Sequence, residues 1–414
     1  MPDTLRIALL AYRGNPYSGG QGVYVHYLSK ALRDLGHYVE VFAGPPYPIV
    51  EDGIGLNKLP SLDLYRPEDP FRTPSWHEFR DWIDLLEFGI MCTAGFPEPL
   101  TFSLRAARQL RRSLSRFDVV HDNQSLGYGL LGLSRRIPVV ATVHHPCTLD
   151  ARLELTHAPN AKRRASLRRW YSFTRMQARV ARRLPRIISV SETAKTDVVS
   201  EFAIDPRKVS VVHNGVDVDL FRPLPDVKRV PGRIVTTASA DVPLKGLEYL
   251  IEAVAKLRTE RDIHLVVVGK ARKRGRVTAA IERFAAADSV TFRSEIDRLE
   301  LVELYAQAEV AVVPSLYEGF SLPAIEAMSC GVPLVTTDAG ALPEVVGANG
   351  EAALLVPPKD ASALANGIDK ILNDHAFAAR LGARGRVRAI ERFSWEVAAS
   401  ATAAEYEQVI RAHG

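Results

Sequence analysis

At 414 residues, with 47% hydrophobic and 24% charged, the chain exceeds the usual size of a single hydrophobic core and has the ordinary balance of a two-domain globular enzyme. No apolar run approaches the roughly 18 residues that a membrane-spanning helix needs, and a net charge of +5 is too mild to argue for nucleic acid as a partner. Three cysteines, Cys92, Cys147 and Cys330, form no even framework and have no metal-ligand spacing, so they read as free thiols in a reducing, cytoplasmic compartment.

The opening MPDTLRIALLAY reads as a first strand, too short and too weakly basic for a secretory signal. A glycine loop with Gly19, Gly20 and Gly22 precedes the helix VYVHYLSKALRDLG and the strand YVEVFAG. It lacks a clean GxGxxG, so it is either a tight turn or backbone that approaches a ligand. Residues 60–100 break the rhythm with many prolines and with Tyr65, Phe71, Trp76, Phe79, Trp82, Phe88 and Phe96. This segment is either an insertion packed on its own aromatics or a platform on which acceptor sugars stack.

The strands DVVHDNQ, IPVVATVHH, RIISVSE and KVSVVHNG follow. Between Leu155 and Ser191 there are ten Lys and Arg residues but no Asp or Glu, and the stretch reads as one long helix. Trp170, Tyr171 and Phe173 with Ala165, Leu167, Ala178 and Val180 suggest a buried stripe, which favours a solvated helix over a membrane-docking face. A second basic cluster, Arg105, Arg108, Arg111, Arg112 and Arg116, precedes DVVHDNQ.

Prolines gather at residues 214–232, the expected domain boundary. The rhythm then resumes with RIVTTAS, LEYLIEAVAKLR, HLVVVG, VTAAIERFAAA, SVTFR, LVELYAQA, VAVVPS, AIEAM, PLVTT, ALLVPP and ALANGIDKIL. Continuous Val/Ile/Leu strands between helices call for parallel sheets covered on both faces. The expected fold class is therefore α/β, with two Rossmann-like doubly wound domains, 1–213 and 214–392, facing a central cleft. A last helix at 393–414 has no strand after it and is expected to cross back to the first domain.

The most informative stretch is PSLYEGFSLPAIEAMSCGVP. A buried strand precedes it, Phe320 and Ser321 make a short loop, and Pro323 suits the first turn of a helix. Glu318 thus sits in a loop at a strand's carboxyl end and Glu326 about one turn into the helix. The helix N-terminus between them offers N–H groups to a phosphate. Two carboxylates flanking an anion site suit a nucleotide-sugar, with hydroxyls at both ends and phosphates in the middle.

EGFSLPAIEAMSCGVPLVTTDAGALPEVV resembles the signature of family 4 of the retaining GT-B glycosyltransferases. The ordered set SGGQGVYVHYLSKALRDLGHYVEVFA, ATVHH, ISVSE, VHNGVDVDLFRP, LKGLEYLIEAV, LYAQAEVAVVPS and FSWE is similar to that family over nearly the whole chain. The resemblance implies a GT-B fold, an acceptor-binding first domain and a nucleotide-sugar-binding second domain. By resemblance, Glu326 hydrogen-bonds the ribose hydroxyls, Glu318 holds hydroxyls of the transferred sugar, and the backbone of Phe320, Ser321 and Leu322 meets the diphosphate. Lys245 neutralises the leaving diphosphate and His144 lies near the transferred sugar, which makes His144, Glu318 and Lys245 the expected catalytic set. Gly20, Asn214 and Gly269 are expected beside the donor, and Gly22, Trp76, Asn123 and His145 beside the acceptor.

One departure stands out. The family usually places an arginine five residues before the lysine, and this chain has Ala240 there, with Asp241 beside it. Arg272, Lys273 and Arg274 are candidates to supply the missing cation.

No prosthetic group and no metal is expected. The family inference is front-face attack, with the leaving phosphate accepting the acceptor's proton and His144 positioning rather than acting as base. The donor is expected to be GDP-mannose or UDP-glucose, leaning to mannose, and the acceptor an oligosaccharide or polysaccharide. A lipid acceptor with peripheral contact at the inner membrane face is the alternative, as is a non-catalytic nucleotide-sugar-binding protein. A phosphorylase-like enzyme would need a pyridoxal phosphate lysine motif that is not present, and a nucleotide-sugar epimerase lacks the EGFSLPAIEAM arrangement.

Overall fold

The computed structural model describes residues 4–14, 20–66, 68–238, 242–272 and 275–413. The chain divides into two compact units, Met1–Val212 with Ala398–Gly414, and His213–Val397.

The first unit is built on seven parallel strands: β1 (Arg6–Ala11), β2 (Tyr38–Ala43), β3 (Gly55–Lys58), β4 (Val119–Asn123), β5 (Val139–Val143), β6 (Arg186–Ser189) and β7 (Val209–Val211). Their order is β3-β2-β1-β4-β5-β6-β7. Ile7 to Ala11 are fully buried, as a strand covered on both faces must be. The edge strand β3, Gly-Leu-Asn-Lys, carries no apolar signature and is not apparent from sequence.

The second unit holds six strands: β8 (Arg233–Thr237), β9 (His264–Val268), β10 (Val290–Arg293), β11 (Val310–Val313), β12 (Leu334–Thr337) and β13 (Leu354–Val356). They run parallel in the order β10-β9-β8-β11-β12-β13. Leu250, Ile251 and Val254 of the helix Leu247–Leu257 and Leu364, Ile368 and Ile371 of the helix Ala361–Asn373 recur at helical spacing and pack against Ile234, Leu265, Val267 and Val335. Each sheet reverses its strand order once, between β1 and β4 and between β8 and β11. In doubly wound sheets ligands bind beyond the carboxyl ends at such a switch point.

The basic stretch is not one long helix. It is Ala161–Trp170 followed by Phe173–Ala181, broken at Tyr171 and Ser172. The break lets the two helices serve different neighbours. Trp170 meets Tyr65 and Phe96 at ring distances of 5.5 and 5.1 Å, whereas Met176 and Val180 enter the core of the first sheet. Ala165 is exposed and takes no part in a buried stripe.

The second basic cluster is largely neutralised. Arg105 is buried and pairs with Asp84 at 2.6 Å and with Glu87, Arg108 pairs with Asp81 at 2.5 Å, and Arg116 pairs with Glu40. The helix Trp82–Cys92 is accordingly inside out, with its acids buried and Trp82 and Leu85 facing outward.

Residues 60–100 pack in part on their own aromatics and leave one large ring exposed. Tyr65, Phe96 and Trp170 pack together, with the Arg13 guanidinium over Tyr65 and Phe96, while Trp76 is 83% exposed. Among the described residues no helix is long and apolar enough to cross a membrane.

Candidate functional site

In the second unit the site grows from the loops after the two switch-point strands. The loop after β8 ends in a short turn, Pro243–Lys245, and the loop after β11 carries Ser315 and Glu318. Lys245 Nζ lies 2.8 Å from Glu318 Oε1, and Ser315 Oγ donates to the same oxygen at 2.6 Å. The Leu316 N–H donates to the Leu244 carbonyl at 2.7 Å, which ties the two loops together.

Glycine is required twice in this arrangement. Gly246 has φ +62°, and a Cβ there would lie 2.0 Å from the Pro314 carbonyl oxygen. Gly340 has φ +58°, and a Cβ there would lie 2.3 Å from the Glu318 carbonyl oxygen.

The helix Leu322–Ser329 starts immediately after, with Pro323 in its first turn. Ser321, at its N-cap, holds φ +113° and does not cap the helix with its side chain. A non-glycine residue in that region costs roughly 1–3 kcal/mol and such strain gathers at functional sites. Its buried hydroxyl and the Asn214 side-chain oxygen find no partner among the described residues. The first-turn N–H groups lie outside the helix's own ladder and are open to an anion.

Glu326, one turn into this helix, is half-buried, and burial pushes its carboxyl up to about 7 while Arg298 opposes the shift. Such a group gains from hydroxyl donors. The ring of Phe320 is buried against His213, stacked at 5.9 Å, and against Phe393 at 5.8 Å, so Phe320 can offer a ligand only its backbone. Gly269, with φ +158°, follows β9. Gly215 serves packing, since a Cβ there would strike the Trp395 ring at 2.5 Å.

Arg272 is exposed, and Ala240, Asp241, Lys273 and Arg274 lie outside the described residues. A separate groove of about 340 Å³, lined by Arg233, His264, Thr291, Arg293, Glu300 and Glu303 among others, contains none of these residues.

In the first unit Asn123, His144 and His145 lie at the carboxyl ends of β4 and β5, whereas Trp76 stands in the separate short turn Trp76–Glu78. His144 Nε2 lies 2.8 Å from Asn123 Oδ1, and Asn123 Nδ2 donates to the Gln21 carbonyl at 3.3 Å. Asn123 therefore accepts from His144, which leaves His144 Nδ1 with its lone pair. Burial holds the His144 imidazole down at about 4, so it is neutral at ordinary pH. The Gln124 side chain accepts from the His144 N–H at 2.7 Å and donates to the His145 carbonyl at 2.6 Å. The His145 ring is 3.3 Å from Asp150.

The glycine loop is shorter than expected. The helix begins at Gly20, so Gly22 stands in its first turn, and Gly19 lies outside the described residues. Sequence reasoning missed Gln124, Ser315 and the His213–Glu344 contact at 2.7 Å. No motif marks them: Gln124 and His213 act through partners 20 and 131 residues away, and Ser315 supports Glu318 from three residues before it. Among the described residues no cluster of three His, Cys, Asp or Glu is placed to hold a metal ion.

Residues 226–388 match the family described as Glycosyl transferases group 1, and residues 18–220 match Glycosyltransferase Family 4. Over 408 residues the chain is 50% identical to the MMP α-(1→4)-mannosyltransferase of Mycolicibacterium hassiacum, covering 98% of each. The chain belongs to the family 4, group 1 glycosyltransferases. It is 28% identical to a D-inositol 3-phosphate glycosyltransferase of Streptomyces bingchenggensis, over 99% of this chain and 90% of that one. The sucrose-phosphate synthase of Thermosynechococcus elongatus superposes with a TM-score of 0.73 at 26% identity, covering 99% of this chain and all of the other. This glycosyltransferase therefore has the GT-B fold and is a hexosyltransferase that uses a nucleotide-sugar donor.

Proposed function

We propose that the chain transfers mannose from GDP-mannose to a saccharide acceptor, forming an α-(1→4) linkage with retention at the anomeric carbon. The observation that carries this reading is the 50% identity, over 98% of both chains, to an enzyme named for that linkage and sugar. The Lys245–Glu318 pair, the strained Ser321 turn and half-buried Glu326 support a donor site in this unit.

In this reading Glu326 accepts from the ribose hydroxyls. The N–H groups at Ser321 and Leu322 meet the diphosphate, and Glu318 holds sugar hydroxyls. Lys245 stabilises the negative charge that grows on the diphosphate as the sugar–phosphate bond breaks. The acceptor hydroxyl attacks from the face the diphosphate leaves, and a phosphate oxygen takes its proton. His144 is too weak a base at neutral pH to take that proton and instead accepts a hydrogen bond through Nδ1. Asn214, Gly269 and Gly20 border the donor. Gly22 and His145 border the acceptor, and Asn123 reaches it only through His144.

Exposed Trp76 offers a stacking face to a saccharide chain. Trp76→Ala is expected to raise the acceptor KM several-fold, by roughly 1 kcal/mol of lost ring contact, while the donor KM stays unchanged. Competition kinetics with both substrates varied would check this split. A soluble saccharide acceptor also predicts weak binding to anionic vesicles at low salt. Strong co-sedimentation that is lost on charge reversal at Arg168 and Arg169 would instead favour a lipid acceptor.

A panel of GDP- and UDP-sugars, read by nucleotide release with and without a mannoside acceptor, tests the donor assignment. GDP-mannose is expected to be turned over fastest. Preference for UDP-glucose would overturn the mannose reading and leave the family assignment intact.

A further inference from the structure

The first unit contains a sealed chain of polar side chains that the reaction outlined above does not use. It begins on the helix Trp395–His413, at the far end of the sequence. Tyr406 Oη lies 2.6 Å from His121 Nδ1, His121 Nε2 lies 2.7 Å from Thr142 Oγ1, and Thr142 Oγ1 lies 3.0 Å from Tyr24 Oη. Tyr406, His121 and Thr142 are fully buried and Tyr24 is 5% exposed. The chain ends against the site, because the Tyr24 ring meets the His144 ring edge-on at 4.6 Å.

The bonds have a preferred direction. Among the described residues Tyr406 Oη has one hydrogen bond, to His121. If it accepted there, its own buried proton would lack a partner, which costs about 1–3 kcal/mol. Tyr406 therefore donates to Nδ1, His121 donates from Nε2 to Thr142, and Thr142 donates to Tyr24. Burial holds the His121 imidazole down at about 3 and raises both tyrosines, so no member changes charge near neutral pH.

A neutral network whose donors are used in one order fixes rotamers rather than moving protons. Thr142 lies on β5 two residues before His144, and His121 lies on β4 two residues before Asn123, the acceptor of the His144 N–H. The relay thus reaches the His144 ring through Tyr24 and lies beside the strands that carry His144 and Asn123.

We propose that Tyr406 is a positioning residue, which fixes the plane of the His144 imidazole through His121, Thr142 and Tyr24. The functional consequence rests on the reading of His144 as a sugar-facing group, but the coupling itself does not. The final segment of the chain then has a role in the site of the first unit beyond covering its sheet.

The test is Tyr406→Phe, which removes one oxygen and keeps the ring. Nitrogen-15 spectra of the full-length protein should show the His144 ring signals shifted or broadened, although Tyr406 does not touch His144. The kcat should fall about tenfold, as misplacement of a site group does, with the donor KM within about twofold of the original. Thr142→Val breaks the relay at its centre and should reproduce the His144 change. Thr402→Val is the control. It removes a buried hydroxyl on the same helix, bonded at 2.7 Å to the Ala398 carbonyl and outside the relay, and should leave the His144 signals in place. Unchanged His144 signals in both Tyr406→Phe and Thr142→Val would overturn the proposal, and so would an equal shift in Thr402→Val. A shifted His144 in Tyr406→Phe, with full activity in His144→Ala, would keep the relay and overturn the role given to His144.

Discussion

Lys245→Ala is expected to lower kcat by about a hundredfold or more while the folded structure persists. The lysine sits in a partly exposed turn, so its loss leaves no cavity. Its charge matters most when the sugar–phosphate bond is nearly broken and the diphosphate carries its full charge. Removing one such preorganised group costs about 2.7–4 kcal/mol in comparable sites. In the free protein Lys245 is held by Glu318 at 2.8 Å, so it is already placed beside the carboxylate assigned to the sugar. Steady-state kinetics should show the loss mainly in kcat, because the interaction strengthens towards the transition state. A loss confined to the donor KM would reassign Lys245 to ground-state binding.

Glu326→Ala is expected to weaken nucleotide binding by about 1–3 kcal/mol, the cost of leaving hydrogen-bond donors without a charged acceptor. That corresponds to roughly fivefold to 150-fold in Kd. The pH dependence follows from its burial, which raises the carboxyl from 4.5 to about 7. The ribose hydroxyls donate to the ionised form, so nucleotide affinity should rise with pH through about 7 and fall below it. The free protein behaves oppositely. A carboxyl raised on folding favours the folded state while protonated, and that advantage is lost as pH climbs from 4.5 to about 7. Titration calorimetry at pH 6 and pH 8 checks the sign, and Glu326→Gln should flatten the difference. Equal affinities at both pH values in the unaltered protein would contradict the ribose assignment.

The fold was legible because buried parallel strands carry an unbroken apolar signature. VAVV and VVAT announce themselves, whereas the edge strand Gly55–Lys58 does not, since only hydrogen bonds to β2 make it a strand. The spacing from Glu318 to Glu326 was legible for a similar reason. A strand, a short loop and a proline-started helix are local events that fix where both carboxylates lie.

What escaped was non-local. The single long basic helix failed because its break at Tyr171 and Ser172 depends on Trp170 finding Tyr65, more than a hundred residues earlier. Arg105 looked like part of a charged face, but its partners Asp84 and Glu87 lie on a helix that turns its acids inward. Gln124, which holds the backbone at His144 and His145, has φ +60° and no motif around it. Ala240, where the family usually has arginine, lies outside the described residues, as do the candidate cations Lys273 and Arg274.

The most direct measurement is the NMR spectrum of the product formed from GDP-mannose and a short mannoside, with the anomeric configuration read from the one-bond carbon–proton coupling at C1. This account predicts an anomeric coupling and linkage correlations for a new α-(1→4)-mannosyl residue, formed by the unaltered protein and at least a hundredfold more slowly by Lys245→Ala. A β-linked product, or equal rates for the two proteins, would contradict it.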